Sequence, residues 1–130
     1  MSRTILVVDD DPDSLMILRT ILEGRSYTVV TATNGVDALM ALKSITPDVV
    51  LLDVMMPQMS GFEVLDRIKA THATSRTPVI LLTAKVNDDD VMSGYQHGAD
   101  YYITKPCTPK QLIYGIDLVL GRTENPDAPE

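Results

Sequence analysis

The chain has 130 residues, of which 45% are hydrophobic, a formal net charge of −7 and one cysteine, Cys107. That length and composition fit one domain with a full core and exclude general disorder. The acidic balance disfavours direct nucleic-acid binding, which needs Lys and Arg at phosphates, and a single cysteine excludes an intrachain disulfide or a cysteine-based metal cluster.

No apolar run approaches membrane-spanning length and the N-terminus lacks a signal-peptide pattern, so a cytosolic protein is expected. Thr4 to Val8 is an apolar, β-branched run that ends in Asp9-Asp10-Asp11, and it predicts a first buried strand. Asp11-Pro12 opens a helix, with aspartate as N-cap and proline in the first turn. Leu15, Leu18, Ile21 and Leu22 recur at helical spacing, and Gly24 is the predicted stop. Tyr27 to Ala32 predicts a second strand, and Asn34-Gly35 turns the chain into a helix carrying Val36, Leu39 and Leu42, up to about Ser44. Pro47 introduces the third strand. There Val49-Val50-Leu51-Leu52 run straight into Asp53, with Pro57 four positions later. A continuous apolar run between turn signals reads as a strand buried on both faces.

A methionine-rich loop, Val54 to Ser60, leads to Gly61 and a helix with Phe62, Leu65 and Ile68 on one face. Thr71 to Thr77 is polar and irregular. Pro78 starts a fourth strand, Val79 to Leu82, ending in Thr83-Ala84. Asn87 and three aspartates suit a helix N-terminus. That helix carries Val91, Met92 and Tyr95 and closes at Gly98. Tyr101 to Thr104 is a short fifth strand, followed by Lys105-Pro106. Thr108 and Pro109 start a last helix with Leu112, Ile113, Ile116, Val119 and Leu120. Residues 1–121 therefore form one domain, and Arg122 to Glu130 read as a disordered tail or the start of a linker.

Five alternations of strand and helix predict an α/β fold: a parallel five-stranded sheet covered on both faces, with right-handed crossovers. Parallel strands put their C-terminal ends on one edge, where open α/β sheets place ligands. That edge collects Asp9 and Asp10, Asp53, Thr83 and Lys105 from four different strands. Taken singly, each has an ordinary reading: a polar turn, a loop cap, a strand-end hydroxyl, a solvated lysine. Together, three carboxylates that repel one another call for a hard divalent cation and a lysine to share their charge. Mg²⁺ suits oxygen ligands, and a carboxylate beside it can attack a phosphoryl group to give an acyl phosphate. The cation, the Thr83 hydroxyl and the Lys105 ammonium would then neutralise one phosphoryl oxygen each.

Val8-Asp9-Asp10, Leu52-Asp53 with Pro57, Leu82-Thr83-Ala84, and Gly98-Ala99-Asp100 leading to Lys105-Pro106 resemble the receiver domains of two-component response regulators, from about Thr4 to Gly121. The resemblance implies a flavodoxin-like (βα)5 three-layer sandwich with strand order 2-1-3-4-5. It implies that Asp53 accepts phosphate from a histidine kinase or histidine phosphotransfer protein. It implies Mg²⁺ on Asp10, Asp53 and the Met55 backbone carbonyl, with Asp9 acting mostly through a metal-bound water. Thr83, Ala84 and Lys105 would contact the phosphoryl group, and Pro106 is a candidate for a cis peptide. Thr83 and Tyr102 would move together as a switch, reshaping the surface of helix four, strand five and helix five for a downstream partner or an output domain outside this chain. The chain would be no enzyme beyond the phosphorylation and dephosphorylation of its own aspartate.

Some positions depart from the common pattern of that family. Tyr101 stands where an acidic residue is frequent and Cys107 where phenylalanine is frequent, the latter read as a small apolar filler. The last helix lacks the arginines of receivers that dimerise through that surface. Met55 and Lys85 flank the phosphorylation pocket, and an apolar Met55 predicts slow loss of phosphate by hindering the attacking water. His72 and His97 have no ligand-like spacing, and His97 reads as a cation near a helix C-terminus. Three other readings compete. A phosphatase of the haloacid dehalogenase type would need an Asp-x-Asp nucleophile on the first strand and a cap. A flavodoxin-like cofactor binder would need a hydroxyl- and glycine-rich loop where Asp9-Asp10-Asp11 stands. The last is a receiver that works as an adaptor without phosphorylation.

Overall fold

The computed structural model describes residues 3–84 and 87–121. The five apolar runs form β1 (Thr4–Val8), β2 (Thr28–Ala32), β3 (Val49–Leu52), β4 (Val79–Thr83) and β5 (Tyr101–Thr104). Each is followed by a helix: α1 (Pro12–Glu23), α2 (Gly35–Ala41), α3 (Gly61–Ala70), α4 (Asp88–Gln96) and α5 (Pro109–Val119). The strands pair in parallel in the order β2-β1-β3-β4-β5, the flavodoxin-like arrangement. Register follows the period of two. Leu6 and Val8, Val50 and Leu52, Val79 and Leu81, and Tyr102 face a core closed by α2, α3 and α4. Ile5 and Val7, Val49 and Leu51, Ile80 and Leu82, and Ile103 face a second core closed by α1 and α5. All four residues of the central strand β3 are buried, because helices cover both of its sides.

Local chemistry sets the helix starts. Asp11, Asn34, Ser60, Asn87 and Thr108 are the N-caps, and each side chain accepts a backbone N–H from the first turn. Thr108 and Gln111 complete a reciprocal capping box on α5.

Several boundaries and faces differ from expectation. β2 begins at Thr28, and α2 ends at Ala41, where the chain tightens into turn bonds from Lys43 to Met40 and Ser44 to Ala41. β4 runs through Thr83. Gly24 caps α1 but keeps a right-handed φ of −64°, while Ser26 takes the left-handed turn at φ 69°. Val36 and Met92 are exposed, although their spacing placed them on apolar faces. Ala38 and Gly94 take the inward positions of α2 and α4 instead. The Arg122–Glu130 tail and Lys85 lie outside the described residues. Among the described residues no helix is long and apolar enough to cross a membrane.

Candidate functional site

The C-terminal ends of β1, β3 and β5 bring Asp9, Asp10, Asp53 and Lys105 together. Asp9 and Asp53 follow the last residues of adjacent strands, where Val8 is paired with Leu52, and the Asp53 N–H donates to the Val8 carbonyl at 3.0 Å. Both carboxylates are nearly enclosed, at 2% and 7% exposure, whereas Asp10 is open to solvent. One carboxylate oxygen from each of the three lies within 4.8 Å of the others.

Hydrogen bonds hold the buried pair. Asp9 Oδ1 accepts the Asp11 N–H at 2.9 Å, and Asp53 Oδ1 accepts the Met55 N–H at 2.9 Å. Lys105 reaches in from the end of β5. Its Nζ donates to Asp9 Oδ2, to Asp53 Oδ2 at 3.3 Å and to Ser14 Oγ at 3.5 Å. The Lys105 N–H donates to the Thr83 carbonyl at 2.8 Å, which ties this lysine to β4. The Lys105–Pro106 peptide is cis.

Electrostatics describe a site short of positive charge. Burial pushes the Asp9 carboxyl above its ordinary value and the Asp53 charge adds to this, against the bonds from Lys105 and the Asp11 N–H. Burial alone would push the Lys105 ammonium down. Its bond to Asp9 and the charges of Asp53 and Asp9 together outweigh burial and hold it above its ordinary value. Both shifts have one direction: the cluster retains protons, and a divalent cation would meet the same need. Three carboxylates at this spacing, all hard oxygen donors, fit Mg²⁺ better than a soft metal.

The remaining predicted residues surround this centre. Thr83 ends β4 opposite Thr104 with no exposed surface, and Ala84 beside it is exposed. Ala84 helps to line a pocket of about 380 Å³ with Ser14, Ile17, Lys105, Pro106 and Cys107. Burial pushes the Cys107 thiol up, as befits a filler rather than a reactive thiolate. Met55 is 53% exposed beside Asp53. Tyr102 is already inside at 9% exposure, so this structure holds its ring in rather than out. A Cβ at Gly94 of α4 would lie 3.0 Å from that ring and 2.8 Å from Leu81 Cδ1, so the missing side chain lets α4 close over it. Burial pushes the Tyr102 phenol up, and the charges of Asp90 and Asp53 add to this. His72 lies away from the site on the turn after α3. His97 caps the C-terminal end of α4, stacks on Phe62 with ring centroids 5.2 Å apart, and its Nδ1 lies 2.5 Å from Asp66 Oδ1.

Two features at the site, and one at the opposite edge of the sheet, went unread in the sequence. Ser14 contacts Lys105; its place one residue before Leu15 and four before Leu18 does put it on the edge of the inward face of α1. Gly61 is pressed against the Asp53 carbonyl, where a Cβ would lie 2.2 Å from the oxygen. Lys69 joins α3 to the sheet through the Thr77 carbonyl and Asp100, a nonlocal pairing that spacing does not reveal.

The description "response regulator receiver domain" matches residues 5–117. The DNA-binding response regulator MtrA of Mycolicibacterium smegmatis is 39% identical over 128 residues, covering 98% of this chain and 55% of that protein. The chain thus spans about half the length of the curated relatives it matches. Among solved structures, chemotaxis protein CheY4 of Vibrio cholerae superposes with a TM-score of 0.88 at 28% identity, covering 92% of this chain and 99% of that one. The receiver domain of sensor histidine kinase PA1611 from Pseudomonas aeruginosa, solved with a magnesium ion coordinated in its active site cleft, has a TM-score of 0.86 at 26% identity. It covers 93% of this chain and 99% of its own.

Proposed function

The chain belongs to the response regulator receiver domain family, and on that footing we propose that Asp53 is its phosphoryl acceptor, charged by a histidine kinase or histidine phosphotransfer protein. The observation that carries this is the convergence on Asp53 of a lysine and a three-carboxylate cluster at one sheet edge.

Asp9, Asp10 and Asp53, with the Met55 carbonyl, would hold Mg²⁺. Bound there, the cation supplies charge neutralisation for a phosphoryl oxygen. The chain's own residues do the rest. The Met55 N–H on Oδ1 fixes the Asp53 carboxylate in the orientation that offers an oxygen to phosphorus. A bond forms between that oxygen and phosphorus while the bond from phosphorus to the donor imidazole nitrogen breaks, and the imidazole leaves to take up a proton from solvent. Lys105, already within reach of Asp53, neutralises a second oxygen. The Thr83 hydroxyl and the Ala84 main chain take the third. Thr83 is enclosed, and its place two residues after Leu81 puts it on the same face of the sheet as Tyr102. Thr83 and Tyr102 then shift the α4–β5–α5 surface between two states for a downstream target or an output domain. The chain acts only on its own aspartate. A cytoplasmic address suits a module served by a kinase, and a single cysteine is compatible with a reducing compartment.

The test is intact mass after incubation with a small acyl-phosphate donor, with Mg²⁺ or with a chelator. One added phosphoryl group is expected with Mg²⁺ alone, and none in Asp53→Asn. Equal gain in the variant would reassign the acceptor, and no gain in wild type would favour the adaptor reading.

A further inference from the structure

We infer that Ser14 is a positioning residue for Lys105: its hydroxyl is the fixed acceptor that keeps the ammonium over Asp53 through phosphoryl transfer. This rests on the proposed role of Lys105. An ammonium has three donors and no acceptor. Three oxygens meet it here: Asp9 Oδ2, Asp53 Oδ2 at 3.3 Å and Ser14 Oγ at 3.5 Å. A serine hydroxyl has one proton and two lone pairs. The Ser14 proton goes to Asp11 Oδ2 at 3.2 Å, which leaves the lone pairs for Lys105. Asp11 is itself anchored as the N-cap of α1, its Oδ1 accepting the Asp13 N–H at 3.1 Å. A continuous polar path therefore links the N-terminal turn of α1 to the lysine.

The three acceptors differ in what the reaction does to them. Asp53 loses a carboxylate oxygen to the acyl phosphate. Asp9 belongs to the cluster that would hold the cation, which competes with Lys105 for its charge. Ser14 alone is changed by neither event. Without it, the half-buried ammonium has only acceptors that the chemistry alters, and the flexible lysine stem is free to swing into the adjoining pocket that Ser14 lines.

The experiment measures the rate of phosphorylation by a small acyl phosphate at saturating Mg²⁺, by intact mass. Wild type, Ser14→Ala, Ser14→Thr, Lys105→Ala and the Ser14→Ala/Lys105→Ala double variant are compared, with urea midpoints confirming that each is folded. Ser14→Ala is expected to be about fivefold slower, as for loss of one long hydrogen bond to a charged group. Ser14→Thr, which keeps the hydroxyl, should return to within about twofold of wild type. In the Lys105→Ala background, Ser14→Ala should add nothing, because coupled residues are not additive. A merely structural role would slow both backgrounds by the same factor, and that result overturns the inference, as does a wild-type rate in Ser14→Ala or failure of threonine to rescue. Wild type phosphorylated on Asp53 with Lys105→Ala equally fast would remove the lysine's role and this inference with it, leaving the acceptor intact. An unphosphorylated wild type would remove all three.

Discussion

Gly61→Ala probes the link between packing and chemistry at its tightest point. Gly61 is the first residue of α3, and its N–H donates to the Val54 carbonyl at 3.0 Å. An alanine Cβ there would lie 2.2 Å from the Asp53 carbonyl oxygen, 2.6 Å from Val54 Cα and 2.9 Å from the Asp53 carbonyl carbon. All three obstacles are backbone, so no side chain can rotate away. Relaxing a carbon–oxygen contact to about 3.3 Å requires a shift of roughly 1 Å. Overpacking of this kind costs about 1–3 kcal/mol, and the better helix propensity of alanine returns at most about 1 kcal/mol. A net loss of roughly 1–2 kcal/mol is expected in urea unfolding. The larger effect is chemical, because the displaced backbone carries the acceptor, and a misplacement of about 1 Å costs on the order of 10²-fold in rate. Phosphorylation by a small acyl phosphate should fall by that order in a protein that remains folded. Gly24→Ala is the control: its φ is −64° and its nearest obstacle lies at 3.2 Å, so it should leave both quantities close to wild type. Wild-type stability and rate in Gly61→Ala would show that the Asp53 backbone tolerates a Cβ at this position.

Three further outcomes follow from the same geometry. Met55, exposed beside Asp53, is placed where it would shield an acyl phosphate on that residue from water, so Met55→Asn should speed phosphate loss by about tenfold, a change of roughly 1.4 kcal/mol in barrier; an unchanged decay of the phosphorylated mass would contradict this. Tyr102→Ala should leave the phosphorylation rate within about twofold and weaken the response of a partner to phosphorylation, since the ring lies in the core against Gly94 of α4; loss of phosphorylation itself would count against that division of labour. The Lys105 pKa is raised in the folded state, so the stability from its pairing is complete below the ordinary lysine value of 10.5 and is lost as pH rises through the higher folded value. Unfolding free energy should therefore fall more steeply above that pH in wild type than in Lys105→Gln, and parallel pH profiles would show that the pairing is not felt by the fold.

How far the fold was legible depended on how local its causes are. Val49–Leu52 and Val79–Leu82 announce buried strands by unbroken apolar runs, and Asp11, Asn34, Asn87 and Thr108 announce helix starts through their own side chains. With five strands placed, parallel pairing alone puts Asp9, Asp53 and Lys105 on one edge. Outer faces were less legible. Val36 and Met92 satisfied a helical period yet point to solvent, because on such short helices Ala38 and Gly94 suffice to bring the backbone onto the sheet. The left-handed turn after α1 fell to Ser26 rather than to Gly24, because α1 ends at Glu23 but turn bonds from Arg25 to Leu22 and from Ser26 to Glu23 carry the chain on before it reverses. The contacts of Ser14 with Lys105 and of Gly61 with Asp53 join residues that only the folded chain makes neighbours. The inward ring of Tyr102 depends likewise on a glycine in another element.

Whether Asp53 is the acceptor is decided by locating the phosphoryl group on the chain. Wild type would be treated with Mg²⁺ and a small acyl-phosphate donor, reduced with borohydride to convert an aspartyl phosphate to homoserine, and mapped by peptide mass spectrometry. Homoserine is expected at position 53, with Asp9 and Asp10 unmodified. Homoserine at position 9 or 10, or phosphate surviving reduction on a hydroxyl or imidazole side chain, would contradict it.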